Sequence, residues 1–231
     1  MPPAPDPTAP AAKPRPGPAG VPLPRFKPRP VAVRPDLPAG PTAPLLHRVP
    51  TTQPVAFITI DDGVTKSPEA IALLRKSGVP VTLFLISKEA TKNPGYFATL
   101  EREGGVIESH TITHTSLRGL SYQRQRREIC GSSDRLGQLF GRRPVLFRPP
   151  YGNYDQVTLR AARDCGMKAV LHWKQTADRG RVAYQAAQTT VRAGDIVLMH
   201  FRPAFAADFR AVLKAIHDAG LTPALLEDYI G

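Results

Sequence analysis

The sequence is short of acidic residues and has no long hydrophobic run. Its 19 Asp and Glu residues stand against 31 Lys and Arg, which gives a formal net charge of +12. A basic surface suits an anionic partner such as a cell-wall polymer, a membrane surface or nucleic acid, although scattered, solvated charges are the alternative. Aromatic residues do not interleave with the basic ones, so nucleic acid is not predicted as a partner. No run of roughly 18 apolar residues occurs, which excludes a hydrophobic membrane span.

Proline is concentrated at one end of the chain. Residues 1–50 hold 17 of the 26 prolines. Such a segment buries too little apolar surface to offset the entropy of ordering it, so residues 1–52 are predicted to form a disordered or polyproline-like arm. Residues 53–231 are long enough for one domain with a sizeable core, which we expect to be a monomer.

No apolar stretch near Met1 has the character of a secretory leader. A proline-rich tether nevertheless often follows a leader or lipid anchor that has been removed. We therefore expect an extracytoplasmic protein, secreted or tethered to the cell envelope, whose arm contacts the cell wall or a membrane surface and whose leader is not part of this sequence.

Cysteine is scarce. Cys130 and Cys165 are the two cysteines, and each lies late in a predicted helix. An even number fits a disulfide in an oxidising compartment, and two buried free thiols are the alternative.

Strand-like and helix-like segments alternate from residue 55 onward. Apolar runs of strand length lie at 55–60, 81–86, 106–109, 144–148, 168–173, 195–200 and 221–226. Helical patterns lie at 67–78, 93–105, 121–139, 154–166, 182–194 and 209–220. Nearly continuous apolar strands are typical of a parallel sheet covered by helices. The pattern predicts an α/β fold, a (β/α) barrel of about seven parallel strands, with an open doubly wound sheet as the alternative.

Ionisable and aromatic residues stand at the ends of these predicted strands. In chain order they are Asp61, Asp62, His110, His114, Arg148, Tyr151, Trp173, Asp178 and His200. Because the carboxyl ends of the strands in a parallel barrel share one face, which holds the active site, we expect these side chains to converge. Two imidazoles and one carboxylate suit a divalent metal with open positions for water and substrate. Zn²⁺ fits best, and Co²⁺, Ni²⁺ and Fe²⁺ are alternatives.

The segments TIDDG, HTITH, RPPYG and LMH occur in this order. Together they closely resemble the motifs of the polysaccharide deacetylases of carbohydrate esterase family 4, the NodB-homology domain. The resemblance covers about residues 53–231 and implies a distorted (β/α) barrel of seven strands. It also implies a metal-dependent hydrolase that removes N-acetyl groups from a cell-wall glycan such as peptidoglycan, or from a chitin-type glycan.

The resemblance also implies roles for the matching residues. Asp62, His110 and His114 would bind the metal, Asp61 would be the general base, Arg148 would orient Asp61, and His200 would be the general acid. Tyr151, Pro150, Leu198 and Trp173 would contact the substrate, Tyr151 through its backbone N–H at the oxyanion.

The stretch after the fifth predicted strand departs from the family pattern. Thr176 stands where the family has a first Asp, and Arg179 and Gly180 stand where it has Asp-Trp. Asp178 is one position early, and it either replaces the missing carboxylate or is a solvated loop acid. This departure favours a second hypothesis, a non-catalytic, metal-retaining glycan-binding module. A hydrolase of small N-acyl or cyclic amide substrates is a third.

Overall fold

The computed structural model describes residues 22–185 and 187–231. The strands are β1 (Leu45–Leu46), β2 (Val55–Asp62), β3 (Val81–Leu85), β4 (Gly105–Ser109), β5 (Leu146–Phe147), β6 (Ala169–Leu171), β7 (Gln175–Asp178), β8 (Arg181–Tyr184), β9 (Ile196–His200) and β10 (Thr222–Ala224). The helices are α1 (Pro68–Ser77), α2 (Ser87–Lys92), α3 (Pro94–Arg102), α4 (Tyr122–Phe140), α5 (Gln156–Asp164), α6 (Phe205–Asp218) and α7 (Leu226–Ile230), with a 3₁₀ turn at Pro150–Gly152.

One curled sheet organises the domain. Its strand order is β1-β6-β5-β4-β3-β2-β9-β7-β8, and β10 pairs with β2. Every pairing between these strands is parallel except that of β7 with β8. The predicted α/β fold, a distorted (β/α) barrel, is therefore confirmed. No helix in the described ranges has the length and apolar character that a membrane span requires.

Local sequence sets the boundaries of α1, the helix that connects β2 to β3. In α1 the Ser67 hydroxyl accepts a hydrogen bond from the Glu69 N–H (3.2 Å), and Pro68 occupies the first helical turn. Gly78 ends the helix in the left-handed conformation, with φ of 62°. The apolar stripe of α1, which includes Leu74, is buried against the outer face of the sheet.

The two faces of the sheet bury different residues. Ile58 and Ile60 pack outward with the residues of α1, α3 and α6. Phe57 and Phe84 point to the inner face, where α7 contributes Tyr229, whose ring lies 5.1 Å from that of Phe57. Because side chains alternate along a strand, the inward positions of β2 continue through residue 59 to residue 61 at the carboxyl end.

The helix predicted over residues 182–194 is wrong for the described residues in that range. In its place β8 pairs antiparallel with β7 as a hairpin. Val182 and Tyr184 are partly buried against the core and alternate with exposed residues, which is the period of a strand rather than of a helix. Gly180, with φ of 75°, makes the tight turn between the two strands.

Part of the predicted arm belongs to the folded domain. Residues 1–21 lie outside the described residues, but β1 pairs in parallel with β6, and Ala43 and Val49 are each 1% exposed. The disorder predicted for all of residues 1–52 is thus wrong for residues 43–52. The proline content of the whole segment obscured a short apolar stretch at its end, and its backbone satisfies the hydrogen bonds of β6. The division of the chain into an arm and a catalytic domain stays a prediction.

Cys130 of α4 and Cys165, which ends α5, form a disulfide. Their sequence separation is 35 residues. Closing a loop of this length restricts the unfolded chain, which contributes about 3–4 kcal/mol to stability in the chain-entropy account. The bond fixes α4 against α5, and α4 in turn supports the loop that carries the two histidines.

Two acidic side chains lie close together on the inner face of the sheet. Glu108 is fully buried and accepts hydrogen bonds from the backbone N–H groups of residues 145 and 146 and from Arg142. Glu227 of α7 accepts one hydrogen bond, from the Thr82 hydroxyl (2.9 Å), and its Oε1 has no partner among the described residues. Burial, and then the charge of Glu108, raise the pKa of Glu227 to about 8.

We expect Glu227 to make the protein less stable at alkaline pH. The folded chain holds a proton on this carboxyl between the unfolded pKa, about 4.3, and about 8, so stability is highest below that window and falls as pH rises through it. Glu227→Gln should raise the melting temperature clearly at pH 9 and little at pH 5. The exposed Glu69→Gln is the matched control for thermal melts at both pH values. An equal shift at both pH values for Glu227→Gln would contradict the assignment.

Candidate metal centre and active site

Two adjacent aspartates end β2 and diverge. Asp61 continues the extended strand and is 2% exposed. Asp62 has a left-handed φ of 79°, and Gly63 follows with φ of 78°. This turn directs the two carboxylates to different partners, because Asp61 meets Arg148 while Asp62 meets the histidines. Left-handed backbone is costly for a residue with a Cβ and persists where the surroundings hold it in place.

The loop that carries the histidines is held by α4. The Glu128 carboxylate accepts hydrogen bonds from the backbone N–H groups of Ile112 (2.9 Å) and Thr113 (3.0 Å), and also from the Thr113 hydroxyl. The Ser132 hydroxyl donates to the carbonyl of Thr111 (2.9 Å). Residues 111 and 114 both have positive φ, so the loop takes a strained path that α4 stabilises.

Three candidate ligands converge. The Nε2 atoms of His114 and His110 lie 3.3 and 3.6 Å from Oδ1 of Asp62, and the three ligating atoms all lie within 4.8 Å of one another. Asp62 Oδ1 is buried and has no hydrogen-bond partner among the described residues. Nδ1 of His110 lies 2.7 Å from the carbonyl oxygen of Arg148, and if it donates there, Nε2 presents its lone pair to the cluster.

The charge state of His110 also suits a cation. Burial lowers the pKa of His110, while the charges of Asp61 and Asp62 oppose this effect. A neutral imidazole is the form that ligates a metal. An unpartnered carboxylate oxygen between two imidazoles therefore fits a divalent metal ion.

Arg148 connects Asp61 to the sheet. Its side chain is fully buried, and its guanidinium donates to Asp61 Oδ1 (2.7 Å), to the Thr59 hydroxyl (2.8 Å) and to the carbonyls of Leu171 and His172. Since the other oxygen of Asp61 is left for the cluster side, where it lies 3.8 Å from His110 Nε2, Arg148 fixes how Asp61 faces the site.

His200 faces the same site from the neighbouring strand. The register of β2 with β9 places Asp61 and His200 side by side. Burial lowers the pKa of His200, and the charges of Asp61 and Asp62 oppose this effect. Its Nδ1 is buried without a hydrogen-bond partner in the described structure.

A cleft of about 420 Å³ opens over these groups. Its lining includes the five residues at the centre of the site, which are Asp61, Asp62, His110, His114 and His200. The other lining residues are Pro149, Tyr151, Trp173, Thr176, Asp178, Leu198 and Arg202. Every predicted site residue except Pro150 and Arg148 therefore borders the cleft. Pro150 is buried in the 3₁₀ turn, and Pro149 borders the cleft instead. Arg148 lies beneath Asp61.

The fifth-strand region places Asp178 at the rim. The Asp178 side chain is 51% exposed and lies 3.7 Å from Arg202 and 3.8 Å from Arg179. No ion pair joins it to His200 in the described ranges, so Asp178 does not act as a direct partner of that histidine. A second carboxylate, Asp208 of α6, is buried and accepts the N–H of Gly180 (2.6 Å).

Sequence reasoning missed three residues that build this site. Thr59 lies two positions before Asp61, so the two-residue period of a strand could have placed it on the inner face. Glu128 and Asp208 lie on helices far along the chain from the groups they hold. No spacing pattern in the sequence links them to those groups.

His172 stays a packed residue. Its ring lies 4.6 Å from that of His47 and stacks on Trp173. Burial, and then the charge of His47, lower the pKa of His172 to about 4. His172 therefore packs against Trp173 and the turn at Gly152, and His47 packs against His172.

Comparison with known proteins gives one consistent result. The sequence model of the polysaccharide deacetylase family matches residues 48–170, more than half of the chain. An uncharacterized protein of Streptomyces coelicolor is 41% identical over 81% of this chain and 77% of its own length. A peptidoglycan-N-acetylglucosamine deacetylase of Bacillus cereus is 28% identical over 69% of this chain and 78% of its own length.

Among solved structures, a carbohydrate esterase family 4 pseudoenzyme from Bacillus anthracis superposes with a TM-score of 0.72. It is 17% identical, over 84% of this chain and 70% of that one, and this likeness supports the fold alone. The chain belongs to the polysaccharide deacetylases of carbohydrate esterase family 4, as the four motifs predicted.

Replacing His110 should remove the metal. His110→Ala deletes a buried ligand, so we expect Zn²⁺ or Co²⁺ affinity to fall by at least roughly tenfold, since even outer partners of metal ligands are often worth that much. Metal content after reloading and dialysis measures this. His217→Ala, a half-exposed histidine on α6, is the control that should keep its metal. Undiminished metal in His110→Ala would remove His110 from the ligand set.

Loosening the histidine loop should also weaken metal binding. Glu128→Ala removes the acceptor of two backbone N–H groups, so we expect affinity to fall by about ten- to a hundredfold while the ligands themselves remain. Glu128→Gln keeps one acceptor oxygen, so its metal affinity should lie between those of wild type and Glu128→Ala. Competition with a chromogenic chelator measures the affinities. Wild-type affinity in Glu128→Ala would show that the loop holds its shape without the Glu128 carboxylate.

Proposed function

We propose that this protein is a metal-dependent N-deacetylase of a cell-wall or chitin-type glycan, with Zn²⁺ as the metal. The observation that carries this proposal is the convergence of Asp62, His110 and His114, with Asp61 and His200 next to each other beside this cluster. Asp62, His110 and His114 would hold a divalent metal, which would supply a Lewis acid for the acetyl carbonyl and make a bound water more acidic.

The protein's own residues move the protons. Asp61, with one oxygen held by Arg148, takes a proton from the attacking water. His200, on the adjacent strand, gives a proton to the leaving nitrogen. Addition of the water oxygen forms a C–O bond first, and the amide C–N bond then breaks as His200 protonates the nitrogen, so the products are acetate and a free amino sugar. The backbone N–H of Tyr151 contributes to holding the developing oxyanion.

The cleft walls suit an acetylated sugar. Leu198 and Trp173 provide apolar surface for an acetyl methyl group, and Tyr151, 66% exposed, offers an aromatic face at the rim. The strained turn at Tyr151, with φ of 60°, holds that ring 4.6 Å from the ring of His114.

Peptidoglycan is the first substrate proposed. The named activity of the Bacillus cereus relative supports peptidoglycan, and the net charge of +12 suits a polymer that carries negative charge. We further propose that the protein acts outside the cytoplasm as a monomer, with the arm near the cell wall or membrane surface. The disulfide supports an oxidising compartment.

A non-catalytic glycan-binding module is the second candidate. One observation favours it: Nδ1 of His200 has no hydrogen-bond partner among the described residues, and Asp178 pairs with arginines instead. An acid without a supporting carboxylate loses part of its catalytic effect, which is typically about a hundred- to ten-thousand-fold in total. A module of this kind would bind the same glycan and release no acetate.

Asp61→Asn should stop the reaction without emptying the site. The amide keeps an oxygen for Arg148 but cannot take a proton, so acetate release from N-acetylglucosamine oligomers or peptidoglycan should fall by roughly a hundred- to ten-thousand-fold. The assay measures acetate after chelation and readdition of Zn²⁺ or Co²⁺, with metal content checked in parallel. Asp134→Asn, on the exposed surface of α4, is the matched control.

Two results would count against this assignment. Equal acetate release by wild type and Asp61→Asn would remove Asp61 as the base. Glycan binding by a metal-loaded wild type that releases no acetate would establish the binding module in place of the enzyme.

A further inference from the structure

One wall of the cleft is built from the β7–β8 hairpin and the segment after β9. The parallel register of β7 with β9 pairs Thr176 with Leu198. Asp178 lies two residues beyond Thr176, and Arg202 lies two residues beyond His200. Both charged side chains therefore lie nearer the rim of the cleft than Asp61 and His200 do. Each of them borders the cleft.

The hairpin is anchored in this position. The N–H of Gly180 at its tip donates to the buried carboxylate of Asp208 (2.6 Å). A Cβ on Gly180 would lie 3.3 Å from the Cβ of Ala207, so the tip sits close against α6. Asp178, at the end of β7, therefore holds a fixed place relative to Arg202 rather than moving with a free loop.

Arg202 keeps unused hydrogen-bond donors at the mouth of the cleft. Its side chain is 50% exposed, and its contact with Asp178, at 3.7 Å, is longer than a hydrogen bond. Within the described ranges its guanidinium donates no hydrogen bond. Arg148, by contrast, is fully buried and donates to four acceptors. The cleft thus presents one guanidinium whose planar donors remain open to a ligand.

A neutral acetamido sugar has no group that needs a cation at this point, whereas a carboxylate matches the guanidinium geometry. We propose that Arg202 forms a subsite for a carboxylate carried by the N-acetylated glycan. This proposal rests on the proposed function, because it places the anionic group of the substrate beside the acetyl group that Asp61 and His200 address. Asp178 holds Arg202 at the rim and repels a carboxylate bound further along the hairpin.

The subsite selects among substrates of the same reaction. A pair formed by the half-exposed Arg202 and a ligand carboxylate should be stronger than a surface ion pair and weaker than a desolvated one. We therefore expect the carboxylate to increase affinity about fivefold at low ionic strength. Salt should reduce this gain, because the rim is open to solvent.

Binding measurements test the subsite without requiring turnover. The probes are a peptide-free peptidoglycan disaccharide with its lactyl carboxylate, the same disaccharide with the carboxyl reduced, and a fragment that keeps its stem peptide. Wild type should bind the acid about fivefold more tightly than its reduced form. In Arg202→Gln this ratio should fall to about one, whereas Arg179→Gln, whose side chain is 89% exposed, should keep the wild-type ratio.

Each outcome has a distinct meaning. If only the peptide-bearing fragment shows a gain in binding affinity that depends on Arg202, the subsite is supported. The carboxylate that it binds then belongs to the stem peptide. Three results would overturn the subsite: equal binding of acid and reduced forms by wild type with no Arg202-dependent gain for the peptide-bearing fragment, no binding of any probe, or an equal loss of ratio in Arg179→Gln. Acetate release from neutral oligomers would still support the proposed function in those cases, so the two failures are distinguishable.

Discussion

The burial of one guanidinium organises the active-site face of this protein. Arg148 is fully buried, and it lies 4.3 Å from the centre of the Phe84 ring. A buried charge without a partner is strongly destabilising, by about 3–5 kcal/mol when one partner of a buried pair is removed. Asp61 must therefore remain beside Arg148, and through the Arg148 carbonyl the same residue also orients His110. The positions of Asp61, the proposed base, and of His110, a proposed metal ligand, are in this way part of the stability of the fold.

The strand ends could be predicted from the sequence because two local rules combine there. Apolar runs identify the strands, and in a parallel barrel all their carboxyl ends reach one face, so Asp62, His110 and His200 had to approach one another. The rules are insensitive to small errors in strand length. They held although β5 has only two residues and the fourth predicted strand was longer.

The features of the fold and of the site that were not predicted depend on contacts that no local sequence pattern encodes. The period of residues 182–184 fits a strand, but the surrounding alanines and glutamines favour a helix, and packing against the core decided the outcome. In the sequence, Glu128 cannot be distinguished from the other charged residues of a solvated helix, yet it holds the histidine loop. The orientation of Asp178 toward Arg202 likewise depends on the hairpin, which was itself not predicted.

The pairing of β1 with β6 has a practical consequence for where the chain can be shortened. The N–H groups of Val170 and His172 donate to the carbonyls of Pro44 and Leu46. A protein begun at residue 53, where the proline-rich composition ends, would leave these donors on an open sheet edge. Open edges of this kind template pairing with other chains. Truncation at the compositional boundary would thus favour self-association, whereas a start before residue 43 would keep the edge covered.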